Sequence, residues 1–255
     1  MGVILEAKGL CKNFNQSKEE QVSVLKDIDL RMEEGEFTAI MGQSGSGKST
    51  LLYNISGMDQ SSAGRVVFDG RDISELSDQD MSKIRLRKMG FVFQHSHLLK
   101  NMSIRDNVLL PALKAAIKSK AEAVRDTDEL MVKLGINMVG NHDITKVSGG
   151  QLQRAAVCRA LINHPRILFC DEPTGALNSG ATLEVMNILN QINQEGTTIL
   201  LVTHDAKVAA RADRVIFLTD GRIEAELKLG KYHDQAGDLK LREEKLLSWL
   251  SNRGF

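Results

Sequence analysis

One segment constrains this chain more than any other: Gly42-Gln43-Ser44-Gly45-Ser46-Gly47-Lys48-Ser49-Thr50. It fits G-x-x-x-x-G-K-[ST], in which glycines let successive backbone N–H groups curl around phosphate oxygens. The apolar run Phe37–Met41 leads into it, as a strand buried in a sheet does. Leu51–Gly57 reads as the following helix, whose positive end faces the same anion. Lys48 is placed to reach the β- and γ-phosphates, and Ser49 to offer its hydroxyl to Mg²⁺. Strand, loop and helix in this order imply a sheet-based fold that holds a phosphorylated ligand.

The rest of the chain alternates accordingly. Ile4–Ala7, Val24–Leu30 and Val66–Phe68 read as strands. From about residue 74 to 145 the chain is polar, Met-rich and helix-friendly, and Ile104–Asp143 reads as a helical insertion. Helix Gln151–Asn163, strand Ile167–Cys170, helix Ala181–Gln194 and strands Thr198–Val202 and Val215–Leu218 follow. Such alternation predicts a largely parallel sheet with helices on its faces. After Gly230 the chain is charged, with Leu239, Leu246, Leu247 and Leu250 on one helical stripe. That stripe implies a helix packed on its own domain or, alternatively, one that docks a partner.

Composition narrows the setting. Lys plus Arg and Asp plus Glu each number 33, so no global field draws nucleic acid, and none is expected as a partner. The three cysteines, Cys11, Cys158 and Cys170, form no CxxC pair, which suits reduced thiols in the cytosol. No apolar run approaches the ~20 residues of a membrane span, and the first residues lack a signal peptide's pattern. The chain is therefore expected in the cytoplasm, with any membrane part supplied by another chain.

Ile167-Leu168-Phe169-Cys170-Asp171-Glu172 is an apolar strand ending in two carboxylates. With the phosphate loop upstream, Asp171 becomes a metal site and Glu172 a base for the attacking water, the pairing of a P-loop NTPase. Val147-Ser148-Gly149-Gly150-Gln151, followed by Gln153-Arg154, opens a helix and makes a second anion cradle. One chain already has its phosphate loop, so a second cradle makes sense if it closes over phosphate held by another copy. With this set the sequence resembles the ATP-binding-cassette family over about residues 3–225. Val147 stands where the family's signature usually has Leu.

The resemblance implies the remaining roles. Gln94, in Phe91-Val92-Phe93-Gln94, matches the glutamine that touches Mg²⁺ and the attacking water. His204, in Val202-Thr203-His204-Asp205, matches the switch histidine at the γ-phosphate, and Phe14 the aromatic that stacks on adenine. Gly42, Ser44, Gly45, Gly47, Lys48, Ser49 and Thr50 bind the nucleotide, with Ser148, Gly149, Gly150 and Gln151 from a second copy. Ser49, Gln94 and Asp171 hold the metal. Asn178, in Ala176-Leu177-Asn178, stands where the family usually has Asp, which implies retuned coupling between paired sites.

The implied fold is α/β: a P-loop NTPase core with an N-terminal antiparallel β subdomain and an inserted α-helical subdomain. Residues 3–230 would form one ATPase domain with the insertion at about 95–147, and 231–255 a charged helical tail. The implied unit is a homodimer with ATP and Mg²⁺ at its interface, bound to an integral-membrane permease at the inner face of the membrane. Leu52–Gly64 and Thr174-Gly175-Ala176-Leu177 look most like the group covering macrolide export, lipoprotein release and bacitracin-type antimicrobial-peptide transport. Ile4–Ala7 and the TGALNS stretch favour the antimicrobial-peptide branch. A regulatory ATPase that moves a membrane partner to control cell-wall hydrolysis would carry the same motifs. A DNA-repair or chromosome-organising ATPase would need long heptad repeats that are absent between Gln94 and Ser148.

Overall fold

The computed structural model describes residues 2–15, 21–233 and 237–253. In chain order its principal elements are β1 (Val3–Asn15), β2 (Gln21–Glu33), β3 (Phe37–Met41), α1 (Lys48–Ile55), β4 (Ala63–Phe68), β5 (Arg71–Asp72) and α2 (Asp78–Lys88). Next come β6 (Met89–Phe93), α3 (Ile104–Ala115), α4 (Lys120–Lys133), α5 (Gly149–Leu161), β7 (Ile167–Asp171) and α6 (Ser179–Gln194). The chain ends with β8 (Thr198–Val202), α7 (Ala206–Ala209), β9 (Arg214–Thr219), β10 (Arg222–Lys228) and α8 (Asp238–Ser251). These elements form two compact units, Met1–Met81 with Thr198–Phe255, and Ser82–Thr197.

The first unit has an antiparallel sheet in the order β2-β1-β4-β5. Ile28, Leu30 and Met32 of β2 are buried while Asp29, Arg31 and Glu33 face out, the period-2 pattern of a half-covered strand. Both long strands exceed their apolar cores. Register shifts between β1 and β2 at Ala7/Leu10 and Leu10/Lys12 break the alternation, which hides the continuous strand from a pattern reading. Lys12 then lies buried at a core position, its ammonium 2.8 Å from Asp59 Oδ1.

The other strands of this unit run in the order β10-β9-β3-β8. All five residues of β3 are buried, and β3 pairs in parallel with β8 and β9 on its two sides. A central parallel strand must be apolar on both faces, which Phe-Thr-Ala-Ile-Met nearly satisfies. Arg214 of β9 ties the layers: its guanidinium reaches Glu36 at 2.6 Å, Glu226 at 3.0 Å and the Arg31 carbonyl at 2.6 Å.

In the second unit β6 and β7 form a parallel pair, with Phe91 stacked on Phe169 at 5.5 Å and beside Phe93 at 6.3 Å. A Cβ on Gly90 would sit 2.6 Å from the Ala160 carbonyl oxygen, so only glycine lets α5 lie this close to β6. The helices start where their caps dictate. Ser103 caps α3, and Ser119 with Glu122 makes a capping box on α4.

The tail corrects one expectation. Of the expected tail, residues 234–236 and 254–255 lie outside the described residues. The inward face of α8 carries Arg242, Leu246 and Leu250, while Leu247 is 45 % exposed. A stripe drawn through leucines alone misplaces this face, because its first position at i, i+4, i+8 spacing is an arginine. The helix packs on its own unit: Trp249 meets Phe217 edge-on at 6.2 Å.

Candidate nucleotide site

The phosphate loop continues β3 without a break. Gly42 has φ 154°, and a Cβ there would lie 2.1 Å from the Leu218 carbonyl oxygen and 2.8 Å from Ser46 Oγ. No side chain fits. Gly47, at φ 99°, turns the loop into α1, and a Cβ there would press on Leu25 and on the Val24 carbonyl at 3.1 Å. The loop is braced from behind by the β9–β10 turn. Gly221 N–H donates to Ser46 O at 3.1 Å, and Lys26 N–H donates to Gly221 O at 2.8 Å.

This cradle fits a phosphate on three counts. Glycine is obligatory at Gly42, so the backbone rather than side chains lines the curl. Gly47 stands at the start of α1, so the loop feeds directly into the positive end of a helix. Lys48 Nζ donates to the carbonyls of Gly42 at 2.9 Å and Gln43 at 2.7 Å, holding its charge across the loop. Inside the loop the buried Ser46 hydroxyl has no hydrogen-bond partner among the described residues.

His204 belongs to the same unit. Ile40 pairs with Val202, so Gly42 and His204 leave neighbouring parallel strands at the same end, two residues beyond a matched pair. Thr203 N–H donates to Ile40 O at 3.1 Å, and Asp205 caps α7 through Lys207 and Val208 N–H. His204 itself is exposed.

Phe14 is also here, 44 % exposed and opposite Val22. The loop leans on Val24, two residues along that strand. Lys12 Nζ lies 4.8 Å from the Phe14 ring centroid, fixing a cation on the aromatic face.

The second unit carries the other residues. Phe93 pairs with Asp171, so Gln94 and Glu172 leave β6 and β7 at the same end. Asp171 is buried and Glu172 half-buried. Glu172 has φ 50°, the left-handed region that non-glycine residues avoid and that collects at functional sites. Its carbonyl accepts Gly175 N–H at 3.0 Å. A Cβ on Gly175 would sit 3.0 Å from Gln94 Nε2, so Gly175 lets the amide lie against this turn. The buried Gln153 donates to Phe93 O at 2.8 Å, tying α5 to the end of β6.

Ser148 heads α5 in a full capping box: its Oγ accepts from Gln151 N–H, and Gln151 Oε1 accepts from Ser148 N–H at 2.8 Å. Ser148 and Gly149 are exposed. A Cβ on Gly150 would come 3.0 Å from Ala181 Cβ, so this glycine also serves the approach of α5 to α6. Asn178 caps α6, its Oδ1 accepting Ala181 N–H at 2.9 Å. Sequence reading missed the capping roles of Ser148 and Asn178. The signal was present in Ser-x-x-Gln and in an Asn before a helix.

The family description "ABC transporter" matches residues 25–175, which include the phosphate loop, Gln94, Ser148–Gln151, Asp171 and Glu172. The macrolide export ATP-binding/permease protein MacB of Mannheimia succiniciproducens is 43% identical over 220 residues, covering 86% of this chain and 34% of that protein. MacB of Campylobacter jejuni is 40% identical over 250 residues, covering 97% of this chain and 38% of that protein. The chain thus spans about a third of the length of these relatives. Among solved structures, the ATP-binding cassette MJ0796, in a dimeric post-hydrolysis state bound to ADP and Pi, superposes with TM-score 0.83. It is 37% identical and covers 90% of this chain and 100% of that one. CbiO1 of Clostridium perfringens, part of the ABC transporter complex cbiONQ, gives TM-score 0.80 at 29% identity, covering 99% of this chain and 95% of that one. With the loop geometry, these likenesses make the chain a member of the ABC transporter family, an ATP-binding and ATP-hydrolysing cassette on the P-loop NTPase fold.

Proposed function

We propose that this cassette hydrolyses Mg²⁺–ATP between two copies of itself and drives a separate integral-membrane permease in antimicrobial-peptide or antibiotic export and resistance. The observation that carries the ATP site is Gly42, where the backbone passes so close to the Leu218 carbonyl and the Ser46 hydroxyl that no Cβ fits. Residues 3–230 act as one ATPase domain with a helical insertion at about 95–147, seated through the permease on the inner face of the membrane.

Lys48 and the loop residues Gly42, Ser44, Gly45, Gly47, Ser49 and Thr50 hold the phosphates, and Phe14 stacks on the adenine. Ser49, Gln94 and Asp171 would hold Mg²⁺, which when bound would offset the charge developing on the phosphate oxygens. These are hard oxygen donors. Glu172 takes the proton of the attacking water and His204 touches the γ-phosphate. Ser148, Gly149, Gly150 and Gln151 close on the γ-phosphate of the other copy. Capping uses only an acceptor lone pair of Ser148, so its O–H remains for a phosphate oxygen. The cargo reading is supported by relatives named for macrolide export.

Replacing Glu172 by Gln should slow turnover by roughly 10²–10⁴-fold, the usual worth of a positioned base. Nucleotide binding should survive, so light scattering after gel filtration should find a dimer in ATP. Normal turnover, or a monomer in saturating ATP, sinks the proposal.

A further inference from the structure

Arg242 of α8 makes an unusual set of contacts for a buried charge. It is 7 % exposed, and among the described residues its hydrogen bonds go to backbone carbonyls, with Asp238 and Asp213 acting on it only through charge. Nε donates to Ala210 O at 2.7 Å. One terminal nitrogen donates to Leu229 O at 3.1 Å and Lys231 O at 3.4 Å, the other to Ala212 O at 2.7 Å and Gly230 O at 2.9 Å. Five donations equal the full capacity of a guanidinium. Burial lowers its pKa, yet arginine remains charged.

Two of these carbonyls belong to the turn that ends α7. That helix has four residues, Ala206–Ala209, and continues into Ala210 and Ala212. Val208, Ala209, Ala210, Arg211 and Ala212 are all buried, but Val208 is the only large apolar side chain among them, so the carbonyl bonds add a directional hold that small side chains do not supply. A cation on its terminal carbonyls satisfies groups the helix cannot and opposes its negative end. The other end of α7 is Asp205, the neighbour of His204, itself capping the helix. One helical turn, capped by Asp205 at one end and held by the guanidinium at the other, therefore connects His204 to Arg242.

We propose that Arg242 is a positioning residue for ATP turnover: by fixing the far end of α7 it holds His204 where it meets the γ-phosphate. The tail helix thereby sets the rate of hydrolysis while touching no nucleotide. This rests on the reading of His204 given above.

The test uses the full chain with Arg242→Lys, His204→Ala and both together, each assayed for ATP turnover and for binding of a fluorescent ATP analogue. Arg242→Lys keeps a charge but offers three donors in place of five. Its kcat should fall about tenfold or more, with KM and analogue affinity within twofold of the parent. In the His204→Ala background the same substitution should cost nothing further, because residues acting as one unit are not additive. Leu246→Val, which loosens the same helix without touching the guanidinium, should lower the melting temperature and leave kcat within twofold. An Arg242→Lys enzyme with parental kcat overturns the inference, as does full additivity with His204→Ala, or an equal kcat loss in Leu246→Val. If His204→Ala alone turns over normally, the reading of His204 fails and this inference falls with it.

Discussion

At the scale of single residues, the site is built from backbone conformations that ordinary side chains do not adopt. Gly42 is the sharpest case. Its alanine variant must displace the Leu218 carbonyl, a backbone atom, or distort the loop. Gly42→Ala should cost about 1–3 kcal/mol of strain, felt in ATP affinity as well as stability. Isothermal titration with a non-hydrolysable ATP analogue reads this directly, and parental affinity would refute the steric argument. Glu172 is the opposite case, a strained residue retained for chemistry. Asparagine tolerates the left-handed region far better. Glu172→Asn should therefore raise the urea midpoint, by an amount equivalent to about 0.5–1 kcal/mol of stability at an unchanged m value, while hydrolysis is lost. A lower midpoint would mean that the left-handed backbone is not where the strain resides. The thiols of Cys158 and Cys170 are inert for a simpler reason: burial pushes both pKa values up, helped at Cys170 by the neighbouring Asp171.

At the scale of elements, helix starts decide much of the site's outline. Asn178→Ala should cost about 1 kcal/mol by losing the cap of α6. Asn178→Asp should add a few tenths through the helix dipole. Thermal melts of the two variants should move in opposite directions; movement in the same direction would deny Asn178 its role as cap. Between α3 and α4, Arg105 grips Asp128 through two bonds of 2.6 and 2.7 Å, which holds the Asp128 carboxyl below the usual carboxylate range. A depressed folded pKa gives stability that is full above the unfolded value and lost as pH falls through the folded one. Asp128→Asn should thus cost about 0.2–1 kcal/mol at pH 7, a modest figure because the pair is half-exposed. The gap between variant and parent should close in acid; a gap unchanged at low pH would rule out the ion pair as its source.

Legibility in the sequence also differed by element. β3, β7 and β8 were readable because buried parallel strands are continuous apolar runs. α2 was not, since only Met81 of its residues is buried and no apolar stripe marks it. β10 alternates charged residues with Ile223, Ala225 and Leu227, but none of its residues is fully buried, so it offers no apolar run of the kind that marks the core strands. The phosphate loop and the carboxylates at the end of β7 were legible because their chemistry fixes residue type and spacing. The bracing of the loop by Gly221 was not, because nothing in a local pattern announces a contact between residues so far apart.

At the scale of the whole molecule, the tail belongs to the first unit's core. Leu246 and Leu250 are buried, Trp249 meets Phe217, and Arg242 clamps two chain segments. Burying one leucine is worth about 1.5–3 kcal/mol, so removing residues 231–255 should destabilise the chain by several kcal/mol. A truncation that melts at the parental temperature with parental turnover would refute this packing account.

The brace on the phosphate loop has a consequence for biosynthesis. Gly221 N–H bonds Ser46 O, and Gly221 O holds Lys26 against the loop, so the nucleotide pocket is closed by residues made long after it. At about 5–20 residues per second, roughly 10–35 s separate the synthesis of the loop from that of its brace. During that interval a ribosome-bound chain carries the whole phosphate-binding motif without the turn that holds it in shape. Competence to bind ATP should therefore arise late and abruptly in translation, once the β9–β10 turn has emerged from the ribosome.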